Sequence, residues 1–192
     1  MAREYYVYSM KSTTRSRALD AAIALVGAQG IRALTHARVD ERAGLPRGST
    51  SNWFRTREAL VAGVITAIAE AERADLGGAG AAPGDEAGLI DALCAMIAAE
   101  TGPYAARSRA RYALFLEAAS EPALLEPLLA QRRIFAQWMR DLLSRIGAAD
   151  ADDAARAAMA GLEGLVLHRL TVDPAAGIRP VVTRIVRGAL AD

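Results

Sequence analysis

Residues 35–54 read THARVDERAGLPRGSTSNWF, and their pattern is the most informative feature of the chain. A short helix is predicted to begin after Thr35, because a threonine side chain accepts a hydrogen bond from the first turn of a helix. Gly44 ends it, since glycine adopts the left-handed conformation of a tight turn. Pro46 then opens a second short helix through Trp53. Two short helices joined by a tight turn are typical of a helix-turn-helix.

The second helix of this pair, residues 46–53, carries almost no large apolar side chain before Trp53. Its polar residues are small, apart from one cation, Arg47. Such a helix gains little from burial in a core, whereas small polar residues in a major groove let the backbone approach base edges. The residues spaced to pack the pair against the preceding helix are Val39, Ala43, Leu45 and Phe54.

Outward from this pair, apolar residues recur at helical spacing and no segment alternates as a strand does, which predicts an all-α chain. The first helix is predicted to end at Gly30, and the fourth to run from Thr56 through Arg73. Glycines and alanines at 77–88 predict a flexible connection. The remaining helices are predicted at residues 89–100, 104–119, 123–146, 152–171 and 178–190, which makes about nine.

The last two of these helices are apolar over more than one face. Small residues on the first of them, Ala157, Gly161 and Gly164, allow close approach of another backbone. A four-helix bundle across a two-fold axis would bury that apolar surface. Ordinary packing within one chain is the alternative.

Composition excludes several classes of protein. The chain has 192 residues, 53% of them hydrophobic, which suffices for one domain or for two small ones that share a core. The longest charge-free stretches, residues 21–31 and 59–69, are too short to span a membrane. No secretory leader is recognisable at the start. The single cysteine, Cys94, and the two histidines suit a reducing cytosol and predict neither a metal site nor a cofactor.

Charge is distributed unevenly along the chain. Residues 1–58 hold ten Lys and Arg against five Asp and Glu, whereas residues 59–192 are net acidic. A basic front end on an acidic body is the pattern expected of a protein that touches a polyanion with one end. A charge fluctuation in a small domain would look the same.

The stretch Arg15–Leu60, above all AGLPRGS at 43–49 and WFRTREAL at 53–60, strongly resembles the DNA-binding domain of the tetracycline-repressor (TetR) family. The resemblance implies an N-terminal arm at 1–14, a helix-turn-helix domain at 15–58, and a ligand-binding and dimerisation domain at 59–192. It also implies a homodimer that binds a double-stranded operator in the bacterial cytoplasm, on the nucleoid when it is bound to DNA.

Carried over position by position, the resemblance assigns a phosphate contact to Thr35, a base-reading role to Arg38 and a phosphate grip to Arg57. The family commonly has an aromatic residue where Ser51 stands, which leaves the roles of Ser51 and Asn52 open. Thr35 as a simple helix cap and Arg38 as a solvated residue are the structural alternatives. The expected DNA-binding residues are Arg17, Thr35, His36, Arg38, Pro46, Arg47, Gly48, Ser49, Thr50, Asn52, Trp53 and Arg57.

The first fourteen residues contain Tyr5, Tyr6 and Tyr8 around a valine. They are open to three interpretations: an ordered arm, a minor-groove arm carrying Arg3 and Lys11, or an upstream extension of a chain that starts at Met10.

The C-terminal half resembles the family's effector pocket, because it is apolar with few polar residues. The expected ligand-binding residues are Leu93, Met96, Tyr104, Arg111, Tyr112, Phe115, Trp138, Met139, Met159 and His168. Each of these apolar side chains is as compatible with a plain core. Arg107 and Arg111, four residues apart, could pair with an anionic ligand or form a solvated edge.

The resemblance implies a homodimeric repressor that a small hydrophobic or cationic effector releases from a palindromic operator. The effector would shift the fourth helix and change the spacing of the two recognition helices. A constitutive DNA-binding dimer without a ligand is the alternative. The sequence has no nucleophile–base pair, paired carboxylates, phosphate loop or metal-ligand spacing, so an enzyme is not expected.

Overall fold

The computed structural model describes residues 13–77, 82–117 and 122–191, and within these ranges it is all-helical, as predicted. The α-helices are α1 Thr14–Gln29, α2 His36–Ala43, α3 Ser49–Trp53, α4 Arg57–Gly77, α5 Glu86–Thr101, α6 Ala105–Glu117, α7 Pro122–Arg145, α8 Ala151–Thr171 and α9 Ile178–Leu190, with one 3-10 turn at Ile31–Ala33. No helix in these ranges is both long and apolar enough to cross a bilayer. Residues 1–12 of the predicted N-terminal arm lie outside the described residues.

Two helix starts differ from prediction by three residues. Helix α3 begins at Ser49, not at Pro46, because Gly48 has a φ of 89° and breaks the helical path. Helix α5 begins at Glu86, three residues before the predicted start, because Asp85 Oδ1 accepts the amide hydrogen of Gly88 at 2.8 Å and caps the first turn. The flexible connection predicted at 77–88 overlaps the start of α5, and its residues 78–81 lie outside the described residues.

The first hydrophobic core joins the helix-turn-helix to the body of the molecule. Val39 and Phe54 are buried in it and Ala43 and Leu45 pack against it, as the spacing predicted. Its other members come from α1, α4, α6 and the start of α7, among them Leu19, Leu25, Leu60, Ile65, Ile68, Ala110, Leu114 and Leu128. This core therefore continues across the predicted domain boundary between residues 58 and 59.

The second core lies between α5, the end of α7, α8 and α9, and contains Leu89, Leu93, Ile97, Leu142, Leu143, Leu162, Val166, Val182 and Val186. Ile178, Ile185 and Leu190 pack against it. Most of the apolar stripe of α9 is thus buried within the chain, which fits the alternative of ordinary packing for those residues. On α9, Val181 remains 36% exposed.

Helices α1 and α6 approach each other closely at Gly27. A Cβ atom at this position would overlap the carbonyl oxygen of Ala106. The Nε of Arg109 donates a hydrogen bond to the carbonyl oxygen of Gly27 at 3.1 Å. The glycine therefore allows α1, which packs against the helix-turn-helix, to lie close to the backbone of α6.

Candidate nucleic-acid interface and effector cavity

A buried carboxylate holds the helix-turn-helix together. Asp40, on α2, is 2% exposed. Its Oδ2 accepts the amide hydrogen of Gly48 at 2.8 Å. Its Oδ1 accepts both the amide hydrogen and the hydroxyl hydrogen of Thr50, at 2.8 and 2.5 Å. These three hydrogen bonds fix the turn and the start of α3 against α2, which explains how a helix with few apolar side chains stays in place.

The hydrogen bonds also keep Asp40 ionised. Burial alone raises the pKa of Asp40, but the hydrogen bonds from the Thr50 hydroxyl and from the Thr50 and Gly48 amides lower it by more, so the pKa lies below its ordinary value of 3.8. Sequence reasoning missed this residue, because an acid in a short polar helix looks like part of a solvated face.

Thr50 is a correction to the expected DNA-binding set. Its side chain is fully buried and its hydroxyl is bonded to Asp40, so it cannot reach a base edge. The prediction assigned Thr50 to the groove-facing surface together with Arg47, Ser49 and Asn52. The sequence pattern could not show that one of them turns inward to the carboxylate.

Several other predicted DNA contacts have partners inside the protein. The Arg17 guanidinium donates to the carbonyl oxygens of Ala43 and Gly44, at 2.7 and 3.3 Å, and so covers the end of α2. The Nε2 of His36 lies 2.6 Å from the carbonyl oxygen of Phe54. Both side chains therefore support the turn and the end of α3.

Three more predicted contacts lie around the start of α2. Thr35 is exposed and caps α2, with its hydroxyl accepting the amide hydrogen of Arg38 at 3.4 Å. The Arg38 side chain bonds to the side chain of Gln29. Arg57 reaches the carbonyl oxygen of Ile31 at 3.3 Å. These side chains lie at or near the surface, so their predicted phosphate and base contacts stay predictions.

The exposed part of the predicted interface is the turn and the outer side of α3. Ser49 is partly exposed, and Trp53 is 55% exposed. Arg47 lies in the turn, whereas the prediction placed it at the start of the recognition helix. Within residues 46–52, the exposed residues are Pro46, Arg47, Gly48, Ser51 and Asn52. This surface is small, polar and basic.

A cavity of about 1020 Å³ lies between α4, α5, α6, α7 and α8. Eight of the ten expected ligand-binding residues line it: Leu93, Met96, Tyr104, Arg111, Tyr112, Phe115, Trp138 and Met159. The prediction is wrong for the other two. Met139 is fully buried in the second core, and His168 is exposed on α8, neither buried nor at the cavity.

The cavity combines aromatic rings with buried charges. The rings of Phe135 and Trp138 stack with their centroids 5.3 Å apart. Arg111 pairs with Glu72 at 2.7 Å and with Glu100 at 3.2 Å. Arg111 is therefore part of an ion-pair cluster and not a solvated edge. Neither acid was among the expected ligand-binding residues, because only apolar, aromatic and basic side chains were predicted to contact a ligand.

Two carboxylates share the Arg111 guanidinium, and the environment of Glu72 reflects this. Burial raises the pKa of Glu72, Arg111 lowers it, and the neighbouring Glu100 raises it again, so the pKa lies above its ordinary value of 4.5. The lining has four carboxylates, those of Glu72, Asp75, Glu100 and Glu163, against the two guanidinium groups of Arg111 and Arg132. Arg107 is not among the lining residues, but it pairs with two of the lining carboxylates, those of Asp75 and Glu100.

A helix-turn-helix at one end and a large cavity among five helices at the other place the molecule among the two-part, all-helical helix-turn-helix proteins. Comparisons with known proteins identify the family within this class. Residues 84–192 match the family described as the tetracycline repressor-like C-terminal domain. The chain belongs to the tetracycline repressor family of transcriptional regulators. Proteins of this family generally act by binding and not by catalysis.

Solved structures agree. A TetR-family member from Streptomyces coelicolor A3 is 25% identical, with a TM-score of 0.70 over 93% of this chain and 99% of its own. A TetR-family transcriptional regulator from Streptomyces coelicolor is 22% identical, with a TM-score of 0.77 over 92% and 94%. The multidrug binding protein EbrR, complexed with ethidium, is 30% identical, with a TM-score of 0.64 over 91% and 99%. No curated protein sequence matches the chain.

Proposed function

We propose that this protein is a homodimeric repressor that a planar aromatic cation releases from a palindromic operator. One observation carries the proposal: α6 belongs to both halves of the molecule. Arg111, Tyr112 and Phe115 line the cavity from one side of this helix. On the other side, Ala106 and Arg109 contact α1 at Gly27. An occupant of the cavity would therefore contact a helix that packs directly against α1, and α1 in turn packs against the helix-turn-helix.

The DNA contact is assigned to the exposed turn and α3. Arg47, Asn52 and Ser49 would meet base edges in the major groove, with Trp53 against the backbone. Asp40 supports this assignment, because its three hydrogen bonds hold the turn rigid before DNA arrives. In a dimer, two such elements would enter successive major grooves about 34 Å apart.

The proposed dimer interface is the outer face of α8 together with Val181 of α9. Gly164 supports this proposal, because a Cβ atom there would meet no atom of another element within 4 Å among the described residues. Leu167 is 45% exposed one turn further along the same face. The exposed residues of that face are Ala157, Ala160, Gly164, Leu167 and Thr171. Small side chains allow two helices to approach closely across a two-fold axis.

The effector class follows from the lining of the cavity. Its carboxylates outnumber its guanidinium groups, and aromatic rings stack well on a flat guest and attract a cation. EbrR, which is similar over 91% of this chain, has been crystallised with ethidium and with proflavin. Both dyes are planar aromatic cations, which is the chemistry that this lining favours.

Release follows if the effector binds better to the conformation that does not fit the operator, since a ligand shifts an equilibrium only by its difference in affinity. Helix α4 begins directly after the helix-turn-helix and contributes Glu72 and Asp75 to the cavity. Movement of α4, together with α6, would change the distance between the two recognition helices. The proposed site of action is the bacterial cytoplasm, where the operator lies.

The test is a DNA-binding titration on the fragment upstream of this reading frame, with fluorescence anisotropy as the readout. We expect tight binding, with log affinity falling against log salt at a slope of about −5 if six phosphates are contacted. Proflavin, added at constant salt, should release the DNA. Binding without release by any cationic dye would favour the constitutive dimer instead, and a slope near zero would contradict the proposed interface.

A further inference from the structure

Two polar groups of the cavity have no partner among the described residues. The Oε1 atom of Gln131, on α7, and the hydroxyl of Tyr112, on α6, are both buried and make no hydrogen bond. Gln131 as a whole is 5% exposed. Both residues line the cavity. A buried polar atom without a partner is destabilising, so native proteins rarely keep one without a reason.

The Nε atoms of Arg107 and Arg140 are also buried without a partner among the described residues, but both guanidinium groups form ion pairs. Other buried polar side chains are hydrogen-bonded. The Ser108 hydroxyl, buried nearby on α6, bonds to Glu100, and Thr50 in the helix-turn-helix bonds to Asp40. Arg132, next to Gln131, pairs with Glu163. Gln131 and Tyr112 line an apolar space that is large enough for a guest.

We infer that Gln131 and Tyr112 are specificity-determining residues, which select planar cations that carry an N–H or O–H donor on the ring system. This inference rests on the proposed function. The carbonyl oxygen of Gln131 can only accept a hydrogen bond, so its partner must be a donor. The Tyr112 hydroxyl can donate or accept. The cavity's carboxylates would meet the positive charge, while the two neutral groups would distinguish between cations of equal charge.

The experiment compares two dyes of the same ring system and charge. Proflavin is a protonated acridine at neutral pH and carries two exocyclic amino groups. The 10-methylacridinium ion has the same three rings and the same charge but no N–H donor. Dye fluorescence titrated with the full-length protein gives both dissociation constants. We expect wild-type protein to bind proflavin about tenfold more tightly.

The decisive variant is Gln131→Leu. It should weaken proflavin binding about tenfold and leave 10-methylacridinium binding within about twofold of wild type. Tyr112→Phe should show the same selectivity with a smaller loss. Gln137→Leu is the matched control, since Gln137 lies exposed on the same helix and bonds to Asp141 outside the cavity. This control should change neither dissociation constant.

The outcomes separate the inference from the proposed function. If Gln131→Leu weakens both dyes equally, or neither, the selective role of Gln131 is overturned while the cationic effector class stands. If neither dye binds wild-type protein, the proposed effector class fails and the inference fails with it. A thermal melt shows that the variant is folded, because replacing a buried polar group without a partner by leucine should not lower the melting temperature.

Discussion

Two buried polar sites, one in the helix-turn-helix and one at the cavity, contrast in how they are hydrogen-bonded. In the helix-turn-helix, the carboxylate of Asp40 accepts three hydrogen bonds from Gly48 and Thr50. At the cavity, the Gln131 oxygen and the Tyr112 hydroxyl have no hydrogen-bond partner in the part of the chain that the structure describes. A satisfied network fixes one conformation, whereas unmatched groups leave room for an added molecule. The difference indicates that the DNA-facing element is preorganised and that the cavity is completed by its guest.

The largest effect should come from disrupting the proposed dimer. Gly164→Arg leaves the isolated chain undisturbed, because the position is open, but it would bury two unpaired charges at the two-fold axis. We expect dimer affinity to fall by roughly 1000-fold, about 4 kcal/mol. Light scattering should show a monomer that still binds proflavin and no longer binds operator. Ala87→Arg, exposed on α5, adds the same charge elsewhere and should remain dimeric.

Arg47→Ala removes the exposed cation of the turn, and both copies of the dimer lose it. We expect operator affinity to fall about 100-fold, since one arginine–base contact contributes about 1–3 kcal/mol. Proflavin binding should be unchanged. Arg133→Ala, a surface cation on α7 with a side chain 63% exposed, serves as the control. Retained operator affinity in Arg47→Ala would show that the turn is not the reading surface.

Asp40→Asn tests whether the carboxylate fixes the helix-turn-helix. The amide replaces one accepting oxygen by a donor that faces other donors, so we expect a loss of about 2 kcal/mol in unfolding free energy at pH 7. The pKa of Asp40 is lowered by folding, so its stabilisation is present above pH 3.8 and is lost as pH falls through the folded pKa. Urea unfolding between pH 3 and 7 should show the difference between variant and wild type shrinking towards acid.

Gly27→Ala tests the contact that connects the two halves. The added methyl group would push α1 away from the Ala106 carbonyl, and we expect a loss of about 1–2 kcal/mol in stability. Operator and proflavin should each still bind, but proflavin should release less DNA. Gly188→Ala, at an open position in α9, should instead be neutral or stabilise by up to about 1 kcal/mol. Unchanged release in Gly27→Ala would assign the coupling to α4 alone.

Much of the architecture could be predicted from the sequence, since periodicity and helix-ending residues depend on local chain properties. The turn at Gly44, the cap at Thr35 and the packing of Phe54 were all predicted correctly. The start of α3 was placed three residues early, because Pro46 favours a helix start locally while the left-handed Gly48 breaks the path. Most of the expected ligand-binding residues line the cavity. The exceptions are Met139, which lies in the second core, and His168, which is exposed.

The class of fold and the basic polar segment that faces outward follow from the sequence, because both depend on residues close together in the chain. Tertiary structure alone decided the partners of the buried polar groups. Asp40 meets Thr50 across the turn, and Glu72, Glu100 and Arg111 come together from three different helices. The Oε1 atom of Gln131 has no hydrogen-bond partner among the described residues. Whether a buried charge or amide is satisfied depends on atoms distant in sequence, and residue spacing carries no record of them.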